Sequence, residues 1–214
     1  MKKLYVVGGN GFAKECVQYI RYNAALGQDV KFGGLVGHNG YRVDFGEMNK
    51  YFCGDLSEMK FQDDDYCIIG AGYPDLRRKI YNDILVYGGK LENLFVPYTS
   101  MPDGVNIGVG NCFVDTPLNG HTDICIGNGN LFNGRVVIGH DAVIGDFNFF
   151  GPTSQILGDV HIGNDNIIGA NAVVLAHAKI GNNNKIAPLS CVYRGCKNNS
   201  YMFGNPAEKV GVVE

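Results

Sequence analysis

The stretch "VVIGHDAVIGDFNFFGPTSQILGDVHIG", Val136–Gly163, repeats with a period of six residues. From Ile126 onward every sixth residue is large and apolar, and a glycine often follows it directly. An amphipathic helix or an ordinary sandwich has no reason to keep a six-residue register from Ile126 to Val192. We therefore predict an all-β parallel β-helix, in which three short strands make one triangular coil and successive coils stack.

In such a coil the apolar residue of each hexapeptide points inward, and glycine and asparagine occupy the corners. The predicted inward positions are Ile126, Phe132, Ile138, Ile144, Phe150, Ile156, Ile162, Ile168, Val174, Ile180, Ile186 and Val192. Ile107 and Phe113 keep the six-residue step but lie one residue out of phase with the later set. We therefore expect a one-residue insertion near "TPLNGHT", residues 116–122.

Residues 2–85 have a different pattern, because strand-like and helix-like segments alternate there. The strand candidates are "KLYVVGG", "VKFGGLVG" and "YCIIGAG", and the helix candidates are "GFAKECVQYIRYNAALG" and "YPDLRRKIYNDILVYG". Such alternation indicates a parallel sheet with crossover helices. We predict an α/β Rossmann-like half-domain at residues 1–96, followed by the β-helix and a C-terminal tail at residues 97–214.

Composition excludes several function classes. The net charge of the 214-residue chain is −3 and there is no long basic run, so nucleic acid and anionic membranes are not expected partners. The apolar segment near the N-terminus is too short for a signal peptide. The seven cysteines are odd in number and form no C-x-x-C, which favours reduced thiols and a cytoplasmic location.

The glycines after the first strand do not form a dinucleotide fingerprint. The run from Gly8 through Asn10, Gly11 and Phe12 places Lys14 where G-x-G-x-x-G requires its third glycine. The second strand ends without an acidic residue, so NAD is not expected. The loop still offers backbone N–H groups at a helix N-terminus, and a differently linked nucleotide diphosphate stays open beside a simple tight turn.

The five histidines do not have metal-ligand spacing, because no two are five or eighteen residues apart. We expect no metal site, and we expect His161 and His177 at surface or corner positions. His121 lies 19 residues before His140, across the insertion, and is a weaker candidate for an accessory group.

His140 follows the inward-facing Ile138 at a corner, and Asp141 follows it directly. An imidazole suits proton transfer near neutral pH, and a carboxylate fixes its tautomer. Eighteen residues further on, one coil above, is Gly158, whose N–H could bind a thioester oxygen or the oxyanion that develops from it. Periodicity alone leaves an ordinary corner histidine equally open.

Several segments together resemble the NeuD/PglD-type sugar acyltransferases, a branch of the left-handed β-helix acetyltransferases. The matching pieces are "VVGGNGFAKE", "IIGAGYPDLRRKI", "FNGRVVIGHDAVIGDF", "GANAVV" and "FGNPAEKVG", which span nearly the whole chain. The resemblance implies a left-handed coil, a homotrimer, and acetyl-CoA bound between adjacent subunits. It also implies that the small N-terminal domain holds a nucleotide-sugar acceptor.

Roles for individual residues follow from the same resemblance. His140 matches the general base, Asp141 its acidic partner, and Asn133 an asparagine beside the acceptor, while the amine attacks the thioester directly. We expect a nucleotide pocket lined by Gly8, Asn10, Gly11, Phe12, His38 and Ala71. We expect a CoA channel lined by Gly158, Gly169, Ala170, Ala187 and Pro188.

Two departures concern the acceptor. Members of this group often carry two acidic residues where this chain has Gly37 and His38, and related amino-sugar enzymes have a second histidine where it has Phe149. The leading hypothesis is acetyl-CoA-dependent N-acetylation of a UDP- or dTDP-linked amino-deoxy sugar in bacterial surface-glycan (lipopolysaccharide or O-antigen) synthesis. O-acetylation of a sialic acid-type sugar and a non-catalytic β-helical scaffold are the alternatives.

Overall fold

The computed structural model describes residues 1–9, 11–40, 46–97, 103–118 and 122–213. The chain begins with an α/β unit and continues as a three-sided β-helix. The elements of the α/β unit are β1 Lys2–Val7, α1 Gly11–Ala25, β2 Val30–Gly37, β3 Phe52–Asp55, β4 Asp65–Ile69 and α2 Pro74–Val86, with short 3-10 helices at Gly46–Tyr51 and Leu56–Glu58. Its sheet is parallel with the order β3-β2-β1-β4.

The three predicted strands and two predicted helices of this unit are confirmed. Strand β3 was not anticipated, because its four residues "FCGD" carry too few apolar side chains to give a periodic signal. The buried side of α1 includes Ala13, Cys16, Val17 and Ile20, which pack in one apolar cluster with Leu4 and Val6 of β1. The crossover helix is therefore held on the sheet by burial of its apolar stripe.

The β-helix has three faces built from very short strands. The strands of the second part of the chain are β5 Leu94–Val96, β6 Val105–Ile107, β7 Cys112–Val114, β8 Ile124–Ile126, β9 Leu131–Asn133, β10 Val137–Ile138, β11 Val143–Ile144, β12 Phe149–Phe150, β13 Gln155–Ile156, β14 His161–Ile162, β15 Ile167–Ile168, β16 Val173–Val174, β17 Lys179–Ile180, β18 Lys185–Ile186, β19 Cys191–Val192, β20 Gly195–Cys196, β21 Ser200–Gly204 and β22 Ala207–Val212. Face A has the order β10-β13-β16-β19, face B β20-β17-β14-β11-β8-β6, and face C β22-β21-β18-β15-β12-β9-β7-β5.

The pairing register confirms the predicted coil. Val137 pairs with Gln155 on face A, Val143 with His161 on face B, and Phe149 with Ile167 on face C, each pair eighteen residues apart. Cys112 pairs with Leu131, nineteen residues away. The expected one-residue insertion therefore falls between Val114 and Ile124, in the segment that contains "TPLNGHT".

All twelve predicted inward residues are buried, with at most 5% of their surface exposed. On face C the phenylalanines of successive coils stack inside the helix: the ring centroids of Phe95, Phe113, Phe132 and Phe150 follow one another at 4.8, 4.6 and 4.6 Å. Burial of each such side chain contributes about 1.5–3 kcal/mol, so the column adds to the cohesion between the coils that carry it.

A ladder of buried asparagines holds the corner between faces B and C. Its members are Asn111, Asn130, Asn148, Asn166 and Asn184. At each step the side-chain oxygen accepts from the backbone N–H and the amide of the next asparagine, as Asn130 does from Asn148 at 2.8 and 3.0 Å. The buried N–H groups of these asparagines thus find acceptors without solvent. This is possible because the asparagines recur at the same place in each coil.

The α/β unit packs against the outer side of face C. Strand β5 pairs with β7 and so belongs to the β-helix, although it precedes residue 97; the division at residues 96 and 97 stays a prediction. Cys112 and Leu131, on the outer side of face C, are buried in the same cluster as Cys16 of α1. At the far end the antiparallel pair β21–β22 closes the helix. In the described segments, no helix has the length and apolar character needed to cross a membrane.

Candidate active site

His140 and Asp141 form a close pair at the corner between faces A and B. His140 Nδ1 lies 2.5 Å from Asp141 Oδ2, and both side chains are largely exposed. Asp141 has a φ of 58°, a left-handed conformation that aspartate and asparagine tolerate better than most residues. With Nδ1 held by the carboxylate, the lone pair of Nε2 is free to accept a proton.

Gly158 lies one coil above His140, as the repeat predicted. The backbone N–H of Asp159 donates to His140 O at 2.9 Å, which fixes the stacking of the two corners. A Cβ at Gly158 would come within 2.6 Å of His140 Nε2, so the imidazole lies directly against this glycine. Within the described part of the chain the N–H of Gly158 has no hydrogen-bond acceptor. In the described residues, a backbone N–H without an acceptor therefore adjoins the His140 imidazole.

A second histidine–aspartate pair continues the same edge, and sequence reasoning missed it. His177 Nδ1 lies 2.7 Å from Asp159 Oδ2, and His161 Nε2 lies 3.7 Å from the other oxygen. The hydrogen bond from His177, with the nearby His161, lowers the pKa of the Asp159 carboxyl. The eighteen-residue steps from Asp141 to Asp159 and on to His177 were the signal that could have revealed it. Both histidines are exposed, as predicted.

In residues 1–9, 11–40, 46–97, 103–118 and 122–213, no group of three or more His, Cys, Asp or Glu side chains is arranged to hold a metal ion. His121 lies outside the described residues.

Four of the five residues expected to line a CoA channel lie together on face C and the corner after it, whereas the fifth, Gly158, lies at the corner between faces A and B. Gly169, Ala170, Ala187 and Pro188 line one side of an open cavity of about 480 Å³. Phe149, expected near the acceptor, lines the same cavity. Asn133 belongs to this edge as well. Phe132 pairs with Phe150, so the next residue, Asn133, lies one coil below Gly151, which also lines the cavity.

An aromatic pair forms the lower wall of this cavity. The ring of Tyr73, 69% exposed, stacks on Phe149 with a centroid distance of 6.4 Å and an interplanar angle of 28°. Tyr73 immediately precedes α2, whose first residue is Pro74. Sequence reasoning did not select Tyr73, although a proline at the first helical position marks the residue before it as a loop residue.

The glycine-rich loop meets the end of β4. Gly8 donates its N–H to Val36 O, and a Cβ at Gly8 would come within 2.7 Å of Gly70 O, so only glycine allows this approach. Gly11 opens α1 and is exposed, while Phe12 packs against the apolar cluster beneath it. Ala71 is fully buried. These residues lie at the carboxyl edge of the parallel sheet, where ligands bind in open α/β folds. Asn10 lies outside the described residues.

His38 faces a helix rather than an open pocket. Its Nε2 lies 2.7 Å from Asp83 Oδ2 on α2, and its side chain is 8% exposed. The neighbouring Asn39 amide approaches the same nitrogen at 3.3 Å. The structure thus gives His38 a role in packing β2 against α2, and its contact with a nucleotide stays a prediction.

Within one chain the candidate residues of the β-helix form two groups. His140, Asp141 and Gly158 occupy the corner between faces A and B, whereas the cavity with Phe149 and Gly169 lies on face C and the corner after it. Face A separates the two groups. The repeat predicted each column correctly, and the structure places the columns on different edges of the prism.

Comparison with known proteins agrees with this architecture. Residues 141–176 match the family model described as bacterial transferase hexapeptide (six repeats). No curated protein matches the chain by sequence.

Solved structures resemble the chain over its whole length. A mutant of perosamine N-acetyltransferase from Caulobacter crescentus, in complex with CoA and GDP-perosamine, has a TM-score of 0.83 at 24% identity, covering 99% of this chain and 98% of that one. The acetyltransferase domain of PglB from Neisseria gonorrhoeae, with acetyl coenzyme A, has a TM-score of 0.79 at 21% identity, covering 98% and 99%. WeeI from Acinetobacter baumannii has a TM-score of 0.70 at 21% identity, covering 98% and 100%.

These likenesses confirm the fold class. The chain has an α/β unit followed by a left-handed β-helix, in the order that the sequence predicted, and it shares this fold with the acetyltransferase structures above. The resemblance to sugar acyltransferases inferred from sequence motifs is thereby confirmed for the fold.

Proposed function

We propose that this chain is an acyltransferase that uses acetyl-CoA to N-acetylate a nucleotide-linked amino-deoxy sugar. The observation that carries the proposal is the contact between His140 and Gly158: a carboxylate-bound imidazole lies against a glycine whose N–H has no acceptor among the described residues. A base and an oxyanion donor a few ångströms apart are the two groups that direct acyl transfer requires.

The proposed reaction follows from these two groups. The acceptor amine attacks the thioester carbonyl carbon, and His140 Nε2 takes the proton that the nitrogen loses. Asp141 keeps the proton of the imidazole on Nδ1 and stabilises the imidazolium that forms. The carbonyl oxygen, negative in the tetrahedral intermediate, accepts from Gly158 N–H. Collapse of the intermediate breaks the C–S bond, and the CoA thiolate takes up the proton from His140.

The separation of the two groups of residues supports a homotrimer. We propose that the corner bearing His140 in one subunit faces the cavity of its neighbour, which would bring Asn133, Phe149, Gly169, Ala170, Ala187 and Pro188 of that neighbour to the reacting atoms. Closed rings of this kind use one heterologous interface repeatedly. The acceptor would enter from the α/β unit, along Gly8, Gly11 and Ala71, and CoA along the upper coils.

The nature of the cavity supports a deoxy sugar and a pantetheine arm rather than a highly charged ligand. Its wall is mostly apolar, with Phe149, Ile167, Ile186 and Pro188, and Lys185 supplies a single cation. The perosamine enzyme with a similar fold holds CoA and GDP-perosamine. The nucleotide of this chain's acceptor, expected from sequence to be UDP or dTDP, belongs to the same proposal.

The test is transfer of an acetyl group to a defined amino sugar. Wild type, His140→Ala and Asp141→Asn are assayed with acetyl-CoA and UDP-, dTDP- and GDP-linked 4-amino-4,6-dideoxy sugars, with product mass and CoA release as readouts. We expect His140→Ala to lower kcat by roughly 10²–10⁴ and Asp141→Asn by a smaller factor. Asn tolerates the left-handed conformation at 141, so Asp141→Asn should keep the fold.

Lys179→Ala is the control, because this exposed side chain lies on face B, two coils above the strand that follows His140. Turnover of His140→Ala at the rate of the control would contradict the proposal. Acetylation of a free sialic acid hydroxyl, with no turnover of any nucleotide-linked amine, would establish the O-acetyltransferase alternative instead.

A further inference from the structure

Arg77 is a buried cation whose hydrogen-bond partners in the described residues are all backbone carbonyls. Its side chain is fully buried. The five partners are Ile69 O at 3.2 Å, Ala71 O at 2.7 Å, Gly110 O at 2.8 Å, Gly129 O at 2.6 Å and Asn130 O at 3.2 Å. Burial lowers the pKa of the guanidinium to about 10. Burying a charge costs free energy. Because no carboxylate pairs with Arg77 among its hydrogen-bond partners above, an ion pair does not explain why this arginine is buried.

The five carbonyls belong to two different parts of the molecule. Ile69 and Ala71 flank Gly70 at the end of β4, just before Gly72 and Tyr73 of the cavity wall. Gly110, Gly129 and Asn130 lie in the first two corners between faces B and C of the β-helix. One planar guanidinium therefore joins the acceptor-side loop of the α/β unit to the β-helix.

Neighbouring residues show that this corner is shaped to receive α2. A Cβ at Gly129 would come within 2.4 Å of the Phe147 ring, one coil above. Phe147 in turn contacts Tyr81 edge-on at 5.2 Å and lies 4.1 Å beneath the guanidinium of Arg78. Arg78 also binds Asp165, in the next coil, with contacts of 2.6 and 2.7 Å. Residues of α2 thus dock along successive coils of one corner.

We infer that Arg77 is a positioning residue for acceptor binding: by holding the Ile69–Tyr73 segment against the β-helix, it sets the place of Tyr73 opposite Phe149. The inference rests on the proposed function, because it assigns the acceptor to this side of the cavity. Arg77 itself touches no substrate. Its five hydrogen bonds cannot be reproduced by a lysine, whose ammonium has three donors and no planar fork.

The experiment compares Arg77→Lys and Arg77→Met with Lys79→Met, a control that removes an exposed cation from the same helix. We expect the Arg77 variants to raise the KM for the nucleotide amino sugar by about 10- to 100-fold, while the KM for acetyl-CoA stays within about twofold of wild type. The control should change neither constant. Equal losses in both KM values, or a drop in kcat alone, would overturn the inference, because a general structural role would produce them.

Hydrogen exchange provides a readout that needs no turnover and also serves if Arg77→Met fails to fold. In Arg77→Lys we expect faster exchange at the amides of residues 70–73, with unchanged protection in coils 156–192. Unchanged exchange at residues 70–73 would refute the positioning role whether or not the chain acetylates sugars. Conversely, a faster loop in a protein that transfers no acetyl group would leave the positioning contact intact and refute the proposed function.

Discussion

The imidazole of His140 occupies the space that a side chain at residue 158 would fill, with Nε2 only 2.6 Å from the position of a Cβ. The two residues are eighteen positions apart and meet because successive coils are stacked by the Asp159 N–H to His140 O hydrogen bond. The position of the imidazole therefore requires that residue 158 have no side chain.

Gly158→Ala should separate activity from stability. The methyl group would push the imidazole off its place, so we expect kcat to fall on the order of 10²-fold or more. Alanine lowers the entropy of the unfolded chain, so the melting temperature should not fall once the ring has moved. The measurements are steady-state kinetics and thermal unfolding. In the double variant with His140→Ala, the glycine substitution should cost no further activity; an additional loss would mean that it acts elsewhere.

The stacked rings of Tyr73 and Phe149 should contribute jointly to acceptor binding. Aromatic contacts of this type are worth about 0.5–1.5 kcal/mol, so we expect Tyr73→Ala and Phe149→Ala each to raise the acceptor KM about 2- to 12-fold. The double variant should fall short of the product of the two effects, because each ring supports the other. Fully multiplicative effects would show that the two rings act independently. Tyr22→Ala, an exposed tyrosine on α1, is the control.

The carboxyl group of Asp159 should titrate below its ordinary range for as long as His177 is present. A lowered pKa in the folded protein contributes stability above the unfolded-state pKa, and that contribution is lost as the pH falls through the folded value. In His177→Ala the pKa of Asp159 should rise towards its usual value, because the leading cause of the shift is removed. Carboxyl NMR titration measures the pKa directly. An unchanged pKa in the variant would mean that His161 or the corner backbone is responsible.

Removal of one asparagine from the buried ladder should destabilise the coil stack. Asn148 accepts from Asn166 and donates to Asn130 and to Gly163 O, all in the interior of the corner. Asn148→Ala leaves buried groups unsatisfied, at a cost of about 1–3 kcal/mol for each in the free energy of unfolding. Urea denaturation measures this. Asn106→Ala, at an exposed strand position, should be neutral, and equal losses in both variants would contradict the ladder's role.

The sequence carried much of the information on the β-helix. A six-residue period needs no knowledge of tertiary contacts, because each inward side chain meets its own counterpart one coil away. Ile126 to Val192, the insertion before Ile124, and the stacking of Gly158 on His140 could all be read by counting. The strands β1, β2 and β4 could be read for a related reason, since buried parallel strands are short apolar runs.

Contacts between segments with unrelated periods could not be read in this way. Arg77 lies in an amphipathic helix, where an arginine is ordinarily expected at the surface. The residues beside it in the sequence do not predict that it binds five backbone carbonyls from two parts of the molecule. The contact of Tyr73 with Phe149, 76 positions away, likewise could not be predicted from the sequence. The turning of His38 towards Asp83 depends on how α2 packs on β2, which no local pattern encodes.

The sequence by itself determined the repeat, the inward residues and the columns in which His140, Gly158, Gly169 and Ala187 lie, because one-dimensional periodicity becomes stacking in a β-helix. The tertiary structure alone decided what else lines the cavity, because Gly72 and Tyr73 come from the α/β unit, whose contacts follow no repeat. It also decided how the α/β unit is fastened, because a buried guanidinium finds its partners by the spatial convergence of carbonyls rather than by any spacing along the chain.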